Sequence, residues 1–140
     1  MEKRISVSEL AYPRLLGEGG ELSCMEIYEW KCGCAVIQDM VCTGKLADSF
    51  DWVIPDATAK ILSKLSSEQK ELCKSSPLCA KLICKMTDGT YAYNYDKESD
   101  NICVYKSGAQ YIPYEGKHRA CCAKNFLSGD ALIPVNVGRG

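Results

Sequence analysis

The sequence predicts a small α+β protein, with strands towards both ends of the chain and short helices between them. Segments near both ends alternate between apolar and polar residues, as strands do, whereas the middle has helical spacing and helix-capping residues. The 140 residues, 46% hydrophobic and 25% charged, suffice for one globular domain with a buried core. We therefore expect a single cysteine-rich domain over residues 1–140, with residues 1–20 and 126–140 as terminal arms.

An N-terminal β-hairpin is predicted over residues 22–43, where four cysteines are spaced symmetrically about Gly33. These cysteines are Cys24, Cys32, Cys34 and Cys42. A turn at Gly33 places Cys24 opposite Cys42, because three-residue turns that contain glycine often connect two strands. We therefore expect a disulfide between Cys24 and Cys42 at the base of this hairpin.

Three short helices are predicted in the middle of the chain. The first follows Pro55 and has apolar residues at helical spacing as far as residue 65. The second begins after Ser66, because Ser66 and Gln69 have the spacing of a capping box. The third runs from Ser76-Pro77 to Gly89, a capping residue and a proline at its start and a glycine at its end. Its apolar face consists of Cys79, Leu82, Ile83 and Met86.

A C-terminal three-stranded antiparallel meander is predicted after Gly89. Its strands lie at residues 90–95, 102–105 and 110–112, and turn-forming residues separate them. The first strand alternates strictly and places three tyrosines on one face: Tyr91, Tyr93 and Tyr95. Tyrosine is favoured on half-buried sheet faces and at protein interfaces. We therefore expect this face to bind another protein or a second copy of the chain.

The chain contains 10 cysteines, which is the one unusual feature of its composition. Cysteine-rich chains form disulfides in oxidising compartments, whereas in the cytosol they more often bind metal. Cysteine is also among the residues most often buried as a free thiol. The sequence has neither a signal peptide nor a bilayer-spanning segment, so we expect a cytoplasmic or virion-associated protein without membrane contact.

Zinc is the only cofactor that the residue types favour. Zinc is bound tetrahedrally by four cysteine or histidine side chains. Two cysteines flank Gly33, and a histidine precedes another cysteine by three residues near the C-terminus. The zinc-site prediction is therefore Cys32, Cys34, His118 and Cys121, although the C-x-x-C pairs typical of zinc ribbons are missing. The alternatives are that the same cysteines form disulfides or stay free, with no cofactor bound.

The sequence favours binding over catalysis. It contains no known catalytic motif, and its single histidine means that any Cys–His pair must use His118. A net charge of -1 gives no basic field for general nucleic-acid binding. We therefore expect a non-enzymatic, cysteine-stapled structural or interaction protein, for example a component of a viral or other assembly. A zinc-binding regulatory module is the first alternative, and a thiol enzyme that uses His118 is the second.

Overall fold

Helices cover one face of a four-stranded mixed sheet in the part of the chain that the computed structural model describes, residues 1–13, 34–45 and 57–138. The strands are β1 (Glu2–Ser6), β2 (Cys103–Ser107), β3 (Gln110–Glu115) and β4 (Leu132–Val137). The helices are α1 (Ala35–Cys42), α2 (Ala57–Leu62), α3 (Ser67–Ser75), α4 (Pro77–Asp88) and α5 (Lys117–Phe126). The predicted α+β class is confirmed. None of the described helices is long and apolar enough to cross a membrane.

Both chain ends contribute strands to the sheet, which corrects the prediction of two terminal arms. The strand order is β1-β4-β2-β3, so β4 lies inside the sheet. It pairs antiparallel with β1 and, over two residues, parallel with β2. Ile133 and Val135 in β4 and Ile5 in β1 are buried on one face, against the helices. Burial of one face fixes the register, because a shift by one residue would expose all three side chains.

Pro134 explains why the sequence does not reveal β4. Proline has no N–H for a strand ladder and normally argues against a strand inside a sheet. Here Pro134 is paired with Arg4 of β1, whereas β2 reaches β4 only at Asn136 and Val137. Among the described residues, Pro134 therefore has a strand partner on the β1 side only. A residue without a backbone N–H is acceptable at such a position.

Strands β2 and β3 confirm two strands of the predicted meander. They pair antiparallel across a tight turn in which Gly108 has a φ of 61°, a left-handed conformation suited to glycine. The first strand of the predicted meander, at residues 90–95, is corrected: these residues have no strand pairing. The strand on the other side of β2 is β4, which arrives from the far end of the chain. Long-range pairing of this kind is invisible to local alternation.

Residues 35–42 form helix α1, whereas the predicted hairpin has its second strand there. Val36 and Ile37 are fully buried, and Met40 and Val41 pack partly against the core. These positions lie along one side of a helix, whereas a strand would bury every second residue. The apolar residues thus have helical spacing, which the symmetric arrangement of the cysteines conceals.

The predicted Cys24–Cys42 disulfide depends on a strand register that the helical residues 35–42 do not have. Cys42 is an exposed free thiol in the last turn of α1. Cys24 and the first strand of the predicted hairpin, like Cys32, lie outside the described residues.

The three central helices begin and end close to their predicted limits. Ser66 caps α3, since its hydroxyl accepts a hydrogen bond from the Gln69 backbone at 3.1 Å and the Gln69 side chain accepts one from Ser66 N at 2.9 Å. Helix α4 begins at Pro77 and is followed by Gly89, whose φ is 81°. The predicted apolar face of α4 is buried as expected: Cys79, Leu82, Ile83 and Met86.

Helix α5 has no clear sequence signal and is a further element that the prediction omits. It follows Gly116, whose φ of 72° is left-handed. A β-carbon at Gly116 would overlap the backbone carbonyl of Asn101, so only glycine fits. The buried residues of α5 are small: Ala120, Cys121, Cys122 and Ala123. Their short side chains let α5 pack closely against α4, β3 and the turn after β1.

Candidate functional site

Five buried cysteines approach one another where the helices pack together. Helix α5 packs against α4, α4 against α3, and α3 against α1. The thiols are free, and they lie close enough to affect one another electrostatically. We call this group the thiol cluster: Cys34, Cys73, Cys79, Cys121 and Cys122.

Local structure places each thiol of the cluster. Cys34 is the residue that caps the N-terminus of α1, and Cys73 lies on the buried side of α3. Cys79 lies in the first turn of α4. Cys121 and Cys122 are neighbours on α5, so their side chains leave the helix about 100° apart and face different partners.

Cys79 is the thiolate of the cluster. The Cys122 thiol donates a hydrogen bond to Cys79 Sγ, and the His118 side chain and the Ser76 hydroxyl also hydrogen-bond to it. Together with the charge of His118, these hydrogen bonds lower the pKa of Cys79 to about 5, although burial acts in the opposite direction. The first turn of a helix also favours negative charge. Cys79 is therefore ionised at neutral pH.

Cys122 remains a protonated thiol. Its pKa is raised because it donates its proton to Cys79 Sγ, and burial and the other thiols of the cluster act in the same direction. The two sulfur atoms thus share one negative charge and one proton. Cys79 is 8% exposed and Cys122 is 3% exposed, so the pair is covered by protein.

The three other thiols of the cluster also stay protonated. Burial raises the pKa of Cys73 to about 11 and raises that of Cys34. The pKa of Cys121 lies well above its usual range, because burial disfavours its thiolate and the neighbouring cysteines would repel it. These thiols pack as small apolar side chains around the Cys79–Cys122 pair.

Three of the four residues predicted to bind zinc lie at or beside the thiol cluster. Cys34 and Cys121 belong to it, and His118 is hydrogen-bonded to Cys79. Cys32 lies outside the described residues. Within the described ranges, no three histidine, cysteine or acidic side chains are arranged to hold a metal ion.

The sequence analysis missed the roles of Cys79, Cys122 and Cys73. The sequence places Cys79 on the apolar face of α4 and gives Cys122 and Cys73 no individual partner. Two signals were present. Ser76-Pro77 places Cys79 in the first turn of a helix, and His118 and Cys122 lie four residues apart, on one side of any helix that contains both.

The three tyrosines of the predicted binding surface differ in exposure. Tyr95 is 73% exposed, Tyr93 is 8% exposed, and Tyr91 is half-buried near Arg119. The rings of Tyr93 and Tyr95 lie 4.9 Å apart, and the Tyr95 hydroxyl donates a hydrogen bond to Glu2. The role of this surface in binding stays a prediction.

A second buried polar feature lies beside these tyrosines, in a segment that we call the Asn101 loop, residues 94–101. The buried Asn101 side chain accepts a hydrogen bond from Asn94 N at 2.8 Å. It donates to Asn94 O at 3.0 Å and to Glu98 O at 2.9 Å. Cys103 follows this loop, and its thiol points at the carbonyls of Glu98 and Asn101.

Comparison with known proteins identifies no relative. No protein-family model matches the chain, and neither a curated protein nor a solved structure is significantly similar to it.

Proposed function

We propose that the chain is a non-enzymatic regulatory protein in which oxidation joins Cys79 and Cys122 and thereby changes binding to another protein or to a second copy of the chain. The observation that carries the proposal is the packing of α4 against α5, which buries Cys79 and Cys122 together. Cys122 and His118 on α5 both lower the pKa of Cys79. A thiolate beside a second thiol is the arrangement of redox-sensing cysteine pairs.

The chemistry needs a peroxide as oxidant. The Cys79 thiolate attacks one peroxide oxygen, the O–O bond breaks, and the departing oxygen takes up a proton to leave as water or an alcohol. Cys79 is then a sulfenic acid. The Cys122 sulfur attacks Cys79 Sγ, the S–O bond breaks, and the Cys122 proton leaves with the hydroxyl group as water. The two thiols together supply two electrons to the peroxide.

Burial of the pair supports regulation over enzymatic turnover. With 8% and 3% of their surfaces exposed, Cys79 and Cys122 admit a small peroxide more readily than a bulky substrate. His118 hydrogen-bonds to the thiolate and thus has a positioning role. A redox-sensing thiol needs to react once per oxidation event, so restricted access is acceptable.

The first turn of α4 connects the pair to the surface. Leu78 precedes Cys79 and is 53% exposed. A disulfide would pull the first turn of α4 towards α5 and move Leu78 with it. An apolar surface of a partner that packs against Leu78 would sense this change.

Peroxide treatment followed by thiol alkylation and peptide mass spectrometry tests the proposal. We expect one dominant disulfide, between Cys79 and Cys122. It would close a loop of about 40 residues and raise the free energy of unfolding by roughly 4 kcal/mol. Cys79→Ser and Cys122→Ser abolish the disulfide, whereas Cys103→Ser is the matched control at another buried cysteine. A different dominant disulfide, or none with the protein folded, would refute the proposal.

The binding part of the proposal has its own test. Analytical ultracentrifugation of the reduced and oxidised protein measures self-association, and affinity capture from the two forms compares protein partners. We expect a difference between the two forms that Leu78→Ser removes. Identical association and identical partners in both forms would contradict a regulatory role.

A zinc-binding module is the second candidate. The observation that favours it is that Cys34 and Cys121 both lie close enough to Cys79 to affect it electrostatically, and that His118 lowers the pKa of Cys79. Zinc would require these side chains to turn towards one point about 2.3 Å from each sulfur. Elemental analysis of protein made with zinc distinguishes the candidates. One tightly held zinc per chain, lost in Cys34→Ser, would favour this second function over the redox switch.

A further inference from the structure

A cavity of about 330 Å³ lies between α2, the last turn of α5 and the segment that follows β1. Its volume is within the usual range of small-molecule sites. Ala11 and Ala59 form an apolar part of the wall, with the fully buried Leu10 behind them. Tyr12, Ser63 and Gln110 contribute polar atoms, and the side chains of Lys60 and Lys124 complete the lining. We call this site the Lys124 cavity.

Lys124 is held in place at the wall of the cavity. Its Nζ donates a hydrogen bond to the carbonyl of Val7 at 3.0 Å and lies 5.0 Å from the centre of the Tyr12 ring. An ammonium group has three donors, and Val7 accepts one of them. A lysine whose ammonium group is already positioned loses little freedom when it binds a ligand.

The charged side chains that line the Lys124 cavity among the described residues are positive. Both charged residues that line the cavity, Lys60 and Lys124, are cations, and no carboxylate lines it among the described residues. Burial lowers the pKa of Lys124, because the surrounding protein removes part of the water that would stabilise its charge. A bound anion would compensate for this loss of hydration.

We propose that the Lys124 cavity binds a small organic carboxylate, with its charged end at Lys124 and Lys60 and its apolar body against Ala11 and Ala59. The volume admits on the order of ten non-hydrogen atoms, at roughly 30 Å³ for each. The apolar wall favours a short aliphatic or aromatic acid over an inorganic anion, which would leave that wall wet. This site is separate from the Cys79–Cys122 pair and does not depend on its oxidation.

Ligand-observed NMR and calorimetry with hexanoate and benzoate test the proposal on the full chain. Hexanamide and benzamide have nearly the same shapes without the charge, and inorganic phosphate has the charge without an apolar body. We expect both acids to bind, and the amides and phosphate to bind at least about tenfold more weakly.

Variants place the binding at this cavity. Lys124→Met keeps the apolar stem and removes the charge, and we expect it to weaken carboxylate binding about tenfold. Lys81→Met, at an exposed lysine of α4, is the matched control and leaves binding unchanged. If Lys124→Met fails to fold, Lys60→Met supplies the same comparison with a smaller loss.

Three results would overturn the proposal: amides that bind as tightly as acids, phosphate that competes equally with them, or full carboxylate binding by the folded lysine variants. Absence of carboxylate binding at millimolar concentration to the folded chain would also overturn it. Each of these results leaves the redox proposal for Cys79 and Cys122 unaffected.

Discussion

The thiol cluster and the Asn101 loop are both buried polar regions, yet they shift the pKa of a cysteine in opposite directions. In the thiol cluster, Cys79 is surrounded by hydrogen-bond donors, and its pKa falls to about 5. Beside the Asn101 loop, the Cys103 thiol faces two backbone carbonyls, at 3.5 Å from Glu98 and 3.6 Å from Asn101. Burial and the nearby Glu115 carboxylate raise the pKa of Cys103.

The difference shows that burial alone does not set the reactivity of a cysteine. Cys79 and Cys103 are 8% and 2% exposed, so both are removed from water. Hydrogen bonds to the thiolate overcome desolvation at Cys79, whereas at Cys103 desolvation and the Glu115 carboxylate outweigh the hydrogen bonds that favour the thiolate. The first region is arranged for chemistry, and the second for holding the backbone in place.

The two regions meet at Gly116, which leads into α5 and packs against the Asn101 carbonyl. We expect Gly116→Ala to lower the free energy of unfolding by about 4 kcal/mol, through left-handed strain and overlap with Asn101. Gly108→Ala is the matched control, because its φ is 61° but nothing lies within 4 Å of a new β-carbon. Its loss should be about 1 kcal/mol. Chemical denaturation measures both, and equal losses would show that Gly116 is not wedged against the loop.

Asn101 tests the structural role of its loop. Asn101→Ala removes the partner of Asn94 N and Asn94 O and one of the donors to Glu98 O, so we expect a loss of about 3 kcal/mol. Asn125→Ala serves as the control, since Asn125 is only partly buried and hydrogen-bonds within α5. Its loss should be about 1 kcal/mol or less. Thiolate absorbance of Cys79 should survive in folded Asn101→Ala, and its disappearance would contradict the separation of the two regions.

The pH dependence of stability distinguishes the two cysteines. The pKa of Cys79 lies below the usual 9.0, so the unfolded chain binds more protons between pH 5 and pH 9. Its contribution to the free energy of unfolding therefore rises with pH over this range and is lost as pH falls through 5. One proton limits the slope to about 1.4 kcal/mol per pH unit.

Denaturation at several pH values measures this slope in the reduced protein. We expect Cys79→Ser to remove the rise. Cys103→Ser should leave it intact, because a raised pKa affects stability only above pH 9, where the unfolded thiol ionises and the folded one does not. An unchanged slope in Cys79→Ser would mean that Cys79 is not the thiolate.

The smallest expected change in stability comes from two serines that precede neighbouring helices, Ser66 before α3 and Ser76 before α4. Ser66→Ala removes the hydroxyl that caps α3 and should cost about 1 kcal/mol. Ser76 begins α4 without a side-chain cap hydrogen bond, and its hydroxyl instead favours the Cys79 thiolate. Ser76→Ala should therefore change stability by less than Ser66→Ala but raise the pKa of Cys79. Titration of the thiolate absorbance measures the pKa of Cys79 in each variant. An equal rise of this pKa in Ser66→Ala would contradict the role of the Ser76 hydroxyl.

The sequence by itself determined the α+β class, the limits of α3 and α4, and two strands of the meander. These features depend on neighbours in the chain: the capping box of Ser66 and Gln69, the proline and glycine around α4, and the alternation through β2 and β3. Local hydrogen bonds and backbone preferences act over a few residues. For that reason they can be recognised in the sequence alone.

Tertiary structure alone decided the position of β4, the formation of α5 and the assembly of the thiol cluster. Strand β4 contains Pro134 and pairs with β1 from the other end of the chain, and α5 depends on close packing by small residues. The pKa of Cys79 follows from the meeting of α4 with α5, which brings His118 and Cys122 to its sulfur. Contacts between residues about 40 positions apart leave no local pattern, because their energy comes from packing and desolvation in the folded state.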